Sequence, residues 1–336
     1  MDPLSQTSSL SYKNWGRAAA GLALLILLAA LRIAGSSLVH LSLSNRLQDL
    51  ITLSSSVIFE SFPFVVLGIV LSIVVQIWLP ADKVRSWLPK RGLWRRLWLS
   101  FLGVCLPVCE CGNLPVARSL VSQGFTASES ITFLLAAPIL NPVTLITTHE
   151  AFPSDSHILI ARAFGALIIA NLIGWLFSKE KRAERVLNTQ FLASCRVADK
   201  HVHDRWHRSL DLFRQEVTTI MPALFVGSLI AGLIQVVVPR STLLGLGGNP
   251  FISILAMITL AFIVSICSNV DAFFALAFST TFTAGAVVSF LVFGPMVNIK
   301  MLSLMRTTYT LRTLLRITLL VALFVIILGL AVNYGF

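Results

Sequence analysis

Apolar runs long enough to cross a bilayer recur along this chain, and no soluble fold accommodates that pattern. A spanning helix needs about 20 mostly apolar residues. Arg17 to His40, Leu50 to Leu79, Ile158 to Ser178, Leu212 to Val238 and Leu311 to Val332 all meet that length. The backbone of such segments must satisfy its own hydrogen bonds in lipid, which selects helices. The expected fold class is therefore an all-α polytopic protein of the cell inner membrane, with lipid as its surrounding partner. A composition of 56% hydrophobic and 12% charged residues leaves no room for a separate soluble domain. The first run follows Lys13 and Arg17 like a signal peptide, but it is long, contains Arg32 and lacks a small-x-small cleavage site, so a retained helix is expected.

The net charge of +11 invites a nucleic-acid reading. Lys and Arg instead cluster between apolar runs, which is the positive-inside pattern of membrane proteins, and no nucleic acid is expected as a partner.

Sliding the chain against itself by 157 positions superposes Phe125, Thr126, Ala127, Phe133, Leu134, Pro138 and Asn141 on Phe282, Thr283, Ala284, Phe290, Leu291, Pro295 and Asn298. Seven identities in seventeen positions exceed chance. A shift of 158 pairs Cys109 with Cys267, and one of 159 pairs Pro63, Gly68 and Pro80 with Pro222, Gly227 and Pro239. The expected organisation is a tail and extra helix over 1–49, a first membrane repeat over 50–178, a basic cytoplasmic loop over 179–209 and a second repeat over 210–336.

Basic residues from Lys83 to Arg96 and from Lys179 to Lys200 should both be cytoplasmic. Three apolar runs lie between them, so one run must be re-entrant or otherwise fail to cross, and His149 to His157 falls outside. Lys300, Arg306, Arg312 and Arg316 must also face inside. The first helices of the repeats then run in opposite directions, an inverted-topology arrangement common among secondary transporters.

Both repeats are interrupted at matching places, by Cys105-Leu-Pro-Val-Cys109-Glu-Cys111-Gly-Asn-Leu-Pro115 and by Cys267-Ser-Asn-Val-Asp271. Two prolines and a glycine in eleven residues are not expected to continue a regular helix, and an unwound, wet position is the competing reading for Glu110. Broken helices near the midplane are where such folds place substrates. A second pair of breaks, Pro138-Ile-Leu-Asn141-Pro142 and Gly294-Pro295-Met-Val-Asn298, sets each asparagine three residues after a proline. There its amide either caps a helix or faces a cavity.

Ionisable groups within apolar stretches cost about 2.5–3.5 kcal/mol each on insertion scales, so they are paired or functional. Glu60, Glu110, Arg118, Arg162, Asp271 and Lys300 form that set. Asp271, flanked by Asn269, Phe273 and Phe274, is the first candidate for a proton carrier or cation site, with Glu110 and Lys300 beside it in a coupling role. For Glu60, Arg118 and Arg162 a structural ion pair is the competing reading. Cys109 and Cys111, joined by Cys267 from the matching break, suit a soft, thiophilic solute, whereas Cys105 alone reads as packing. Substrate contacts are assigned to Cys109, Cys111, Cys267, Asn141, Asn269 and Asn298. Cys195 and the loop His201 to His207 carry metal-ligand residue types at loose spacing, but the segment reads first as an ordinary solvated cytoplasmic loop.

No G-x-x-x-x-G-K-[ST] phosphate loop, H-E-x-x-H helix or G-x-S-x-G elbow occurs, so neither ATP hydrolysis, nor enzymatic chemistry, nor a resident metal or cofactor is expected.

The strings Cys109-Glu-Cys111-Gly-Asn-Leu-Pro115, Ala137-Pro-Ile-Leu-Asn141-Pro142, Cys267-Ser-Asn-Val-Asp271-Ala-Phe-Phe and Phe290-Leu-Val-Phe-Gly-Pro-Met-Val-Asn298-Ile-Lys300 resemble the predicted-permease family that includes the organoarsenical efflux permeases. The resemblance spans Phe59 to about Leu330. It implies an inner-membrane permease, and, through Cys109, Cys111 and Cys267, contact with trivalent organoarsenicals. Family members often carry aspartate where this chain has Asn298, which puts coupling at that position in doubt.

These readings converge on a secondary exporter of a small solute, alone, as a homo-oligomer or with a small membrane subunit. The alternatives are a membrane thiol oxidoreductase using Cys105, Cys109 and Cys111, and a non-transporting subunit of a membrane complex.

Overall fold

The computed structural model describes residues 45–78, 89, 92–105, 109–180, 182–197, 205–237 and 249–335. The expected first helix, Pro107, Pro80 with its counterpart Pro239, and His201 and His203 lie outside the described residues. Among the described residues every regular element is a helix, apart from one isolated bridge between Leu187 and Tyr309.

Among the described residues fourteen α-helices follow in chain order: α1 (Asn45–Ile73, continued by a π-helical turn at Val74–Trp78), α2 (Gly92–Cys105), α3 (Glu110–Ser122), α4 (Ala127–Ala136), α5 (Pro142–Ala151), α6 (Ser156–Ser178), α7 (Ala183–Val186), α8 (Thr189–Val197), α9 (Arg205–Val237), α10 (Pro250–Val264), α11 (Asp271–Leu276), α12 (Ala284–Met296), α13 (Ile299–Met305) and α14 (Leu311–Gly335). Five spans among the described residues are long and apolar enough to cross a membrane: Leu47–Trp78, Ser156–Ser178, Arg205–Val237, Ala284–Met305 and Leu311–Gly335. The protein is a multi-pass membrane protein.

Helix boundaries follow local chemistry. At α4, the Thr126 hydroxyl accepts from Glu129 N at 3.3 Å while the Glu129 carboxylate accepts from Thr126 N at 2.9 Å, a reciprocal cap. Thr283 caps α12 in the same way on one side, accepting from Ala286 N at 3.4 Å. Asn141 and Asn298 cap α5 and α13, accepting from Val143 N at 3.0 Å and Met301 N at 2.7 Å.

Two opposite ends can be recognised. At the basic end, Asn188 N donates to Thr308 O (2.8 Å) and Thr310 N to Val186 O (3.0 Å), joining the segment after α6 to the turn before α14. The starts of α2 and α4 are tied together there by Arg95 and Glu129 (3.2 Å), and Gln123 closes α3 on Val75 O (2.6 Å). Trp78 meets Trp206 at the same end. At the other end, Asp155, His157, Pro250, Thr283 and Asn333 line a cavity of about 450 Å³.

Helix α2 has 14 residues and α10 has 15. At 1.5 Å per residue each covers about 22 Å, short of the roughly 30 Å hydrocarbon layer. The hairpin α2–α3 starts and finishes at the basic end, and the hairpin formed by α10, α11 and the turns to Thr283 starts and finishes at the opposite end. Their tips meet part-way along the molecule. Helices α4–α5 and α12–α13 run past these tips as interrupted rods.

Lipid supplies no hydrophobic drive between helices, so close packing of small residues holds them. A Cβ at Gly68 of α1 would overlap the Gly112 carbonyl of α3, and one at Gly285 of α12 would overlap the Gly329 carbonyl of α14. Helix α1 also packs along α9, where Gly232 lies on Ser54.

Candidate functional site

The tips place chemistry where the backbone cannot stay helical. Cys109 is extended (φ −75°, ψ 178°) and α3 begins at Glu110. In the second hairpin α10 ends at Ser265, which takes the left-handed region (φ 53°, ψ 40°), a conformation that costs a non-glycine residue about 1–3 kcal/mol. That reversal delivers Cys267 and Ser268 to the first tip. The Cys109 thiol is within hydrogen-bonding reach of both Cys111 and Cys267, and Cys111 touches the Ser61 hydroxyl of α1. All five described cysteines are free thiols, and these three are buried.

Glu110 lies among the thiols with no exposed surface. One carboxylate oxygen accepts from the backbone and hydroxyl of Ser268, at 3.4 and 3.2 Å. The other faces the Lys300 ammonium at 3.3 Å. Lys300, at the start of α13, also donates to Ser61 at 3.2 Å. Half-buried Glu60 adds a second carboxyl within electrostatic range of Lys300 and Glu110 and accepts from the Cys267 backbone.

Asp271 heads α11 and pairs with Arg162 of α6 at 2.6 Å. Arg162 also donates to Thr148 of α5 at 2.7 Å. Both members of the pair are buried. Asn269, half-buried at the tip, accepts from Thr144 at 3.3 Å.

Cys109, Cys111, Cys267, Glu110 and Lys300 therefore form one contiguous cluster. Asn269 and Asp271 follow on the second tip, facing α5 and α6. Asn141 and Asn298 are spent in part on capping, and Asn298 also donates to Gly294 O at 3.0 Å. Cys105 ends α2 exposed on its apolar flank. Cys195 sits on α8 beyond the membrane spans, where burial pushes its thiol above the ordinary range.

Residues 46–334 match the predicted-permease family. The chain belongs to it. UPF0718 protein YcgR of Bacillus subtilis is 33% identical over 254 residues, covering 76% of the permease and 86% of that relative. A Streptococcus mutans protein named "Putative two-component membrane permease complex subunit" is 32% identical over 286 residues, covering 82% of the permease and 93% of that relative. No solved structure matches the permease. Family and relatives make it a membrane permease.

Two sequence expectations at the site are corrected. Glu110 is not on an unwound, solvated stretch: it is the first residue of α3 and fully buried, because Lys300 and Ser268 replace water around its carboxylate. Nor does Pro115 break the helix. It lies inside α3, whose first turns are enclosed by α1 and α4, so packing overrides the lost backbone donor. Sequence reasoning missed Ser61 and Ser268, since serine is common in membrane helices and carries no motif. It also missed Asn113, one turn beyond Cys109 on α3, buried with neither amide atom partnered among the described residues.

Proposed function

We propose that the permease is a secondary exporter that binds a small thiophilic solute, of the trivalent organoarsenical class, between the two hairpin tips. On this reading the hairpins are re-entrant from opposite membrane faces, the halves are an inverted repeat, and the basic end is cytoplasmic, as loop charge favours. The observation that carries the proposal is the convergence of three buried thiols, drawn from both tips, with the pair formed by Glu110 of the first tip and Lys300 at the start of α13. A monoalkyl trivalent arsenical bearing two hydroxyls condenses with two thiols, forming two arsenic–sulfur bonds and releasing two waters. Asp271, balanced against Arg162, is the group assigned to proton exchange as the site changes the face it opens to. A small membrane subunit belongs to the same proposal, prompted by the name of the Streptococcus relative.

Transport of a trivalent organoarsenical into everted vesicles tests this reading. Cys109→Ser and Cys267→Ser should each abolish uptake while membrane abundance stays unchanged, and Asp271→Asn should remove its dependence on a proton gradient. Full uptake by the Cys109→Ser/Cys111→Ser/Cys267→Ser protein sinks the thiol site.

A further inference from the structure

We infer that Cys109, Glu110 and Cys267 form a binding site for a soft divalent metal cation, of the cadmium and zinc class, held as cargo and not as a cofactor. The inference rests on the reading of the tips as the solute site, and its test reads binding of the ion rather than organoarsenical transport.

Two sulfurs and one carboxylate oxygen of these residues all lie within 4.8 Å of one another. With tetrahedral zinc–ligand bonds of about 2.0–2.3 Å, ligands on one ion lie about 3.3–3.8 Å apart. One ion thus reaches all three donors once they close by at most about 1 Å, leaving a fourth position. Thiolates select soft and borderline metals. Magnesium and calcium require six or more oxygens, which this cluster does not present.

The orientation of Glu110 suits the role. Ser268 holds one oxygen through two hydrogen bonds, so the other is aimed at Lys300 and the thiols. Carboxylates oriented in this way make better ligands. Charge balance gives the second argument. A buried site tolerates little net charge, and here fully buried Glu110 is countered by Lys300, with Glu60 only half-buried at the edge of the site. A divalent ion that forms two metal–sulfur bonds displaces one proton from each thiol, so the charge of the site does not change. Hydrophobic burial around the cluster excludes a species that brings uncompensated charge.

Titrating the detergent-purified full-length chain with Cd²⁺ tests the site. The expected result is one Cd²⁺ per chain, a thiolate-to-cadmium charge-transfer band in the ultraviolet, and release of about two protons per ion into weak buffer. Cys267→Ser should lose the band, and Glu110→Gln should weaken binding by about 10–100-fold; Cys195→Ser should match the unmodified chain. Proton counting on the unmodified protein keeps the test valid if a serine variant misfolds. A band that survives in Cys109→Ser/Cys267→Ser, or binding without proton release, overturns the inference. Organoarsenical transport by a chain that binds no Cd²⁺ also overturns it and leaves the proposed function standing. Cadmium binding by a chain that moves no organoarsenical supports the metal site and removes the proposed function.

Discussion

The two hairpin tips meet at one place, yet they are built on different terms. The first tip concentrates reactive groups, Cys109, Glu110 and Cys111, at the head of a helix of 13 residues. The second contributes one thiol, reaches the site through a strained serine, and returns by a helix of only six residues. What they share is the way charge is neutralised. Glu110 of the first half pairs with Lys300 of the second, and Asp271 of the second half pairs with Arg162 of the first. A third pair, Arg118 with Glu216 at 3.0 Å, again joins the halves. Glu110, Asp271 and Glu216 each find their base across the midline, so these ion pairs fix the register of one half on the other, whereas buried Glu129 pairs with Arg95 inside the first half. Breaking a buried pair by removing one partner strands a charge, which costs far more than the pair contributes intact.

The Asp271–Arg162 pair should therefore give the largest effect. Arg162→Met is expected to lower stability by about 3–5 kcal/mol, seen as loss of the monodisperse peak on heating in detergent. Adding Asp271→Asn should recover most of it, and a double variant as unstable as Arg162→Met would show that the charge is not the cause. Glu110→Gln should cost less, about 1.5–3 kcal/mol. Glutamine still accepts from Ser268, and Ser61 still accepts from Lys300. Equal losses for Arg162→Met and Glu110→Gln would erase the distinction drawn between the tips.

How far the sequence disclosed this arrangement depends on what each feature needed from distant residues. Apolar runs, proline breaks, the thiols and the paired ionisable groups are local patterns, and they were legible. The fold class and the family resemblance followed from them. The partner of each charge was not legible, because Glu110 and Lys300 are 190 positions apart and no periodicity links them. The α3 helix through Pro115 was misjudged for a similar reason: local propensity argued for a break, while enclosure by α1 and α4 decided otherwise. Asn141 and Asn298 could be read either as caps or as cavity residues, and only backbone geometry showed the caps.

Smaller effects probe packing and capping in the two halves. Gly68 meets the backbone of Gly112, which cannot move aside, whereas Gly227, which a shift of 159 positions pairs with it, meets Ser303 Cβ at 2.7 Å. Gly68→Ala should cost about 1–3 kcal/mol, and Gly227→Ala less, since its closest approach, to Ser303 Cβ, is longer than that of Gly68 to the Gly112 carbonyl; the order is read from melting midpoints of the two variants.

The asparagine caps give the finest comparison. Replacing a capping asparagine by alanine costs about 0.5–2 kcal/mol. Asn298 accepts from Met301 N and also donates to the Gly294 carbonyl, one of the groups left without a helical donor where α12 ends. Asn298→Ala removes both bonds within a fully buried break, so it should fall at the upper end of that range. Asn298→Asp keeps the cap acceptor but loses the donor, and it places a carboxylate close to Lys300. If that variant is more stable than Asn298→Ala, the cap outweighs the added buried charge. The reverse order would mean that burial of a third acid beside Glu110 and Glu60 dominates, and that the neutral side chain at position 298 is needed to keep the charge of the first tip balanced by a single lysine.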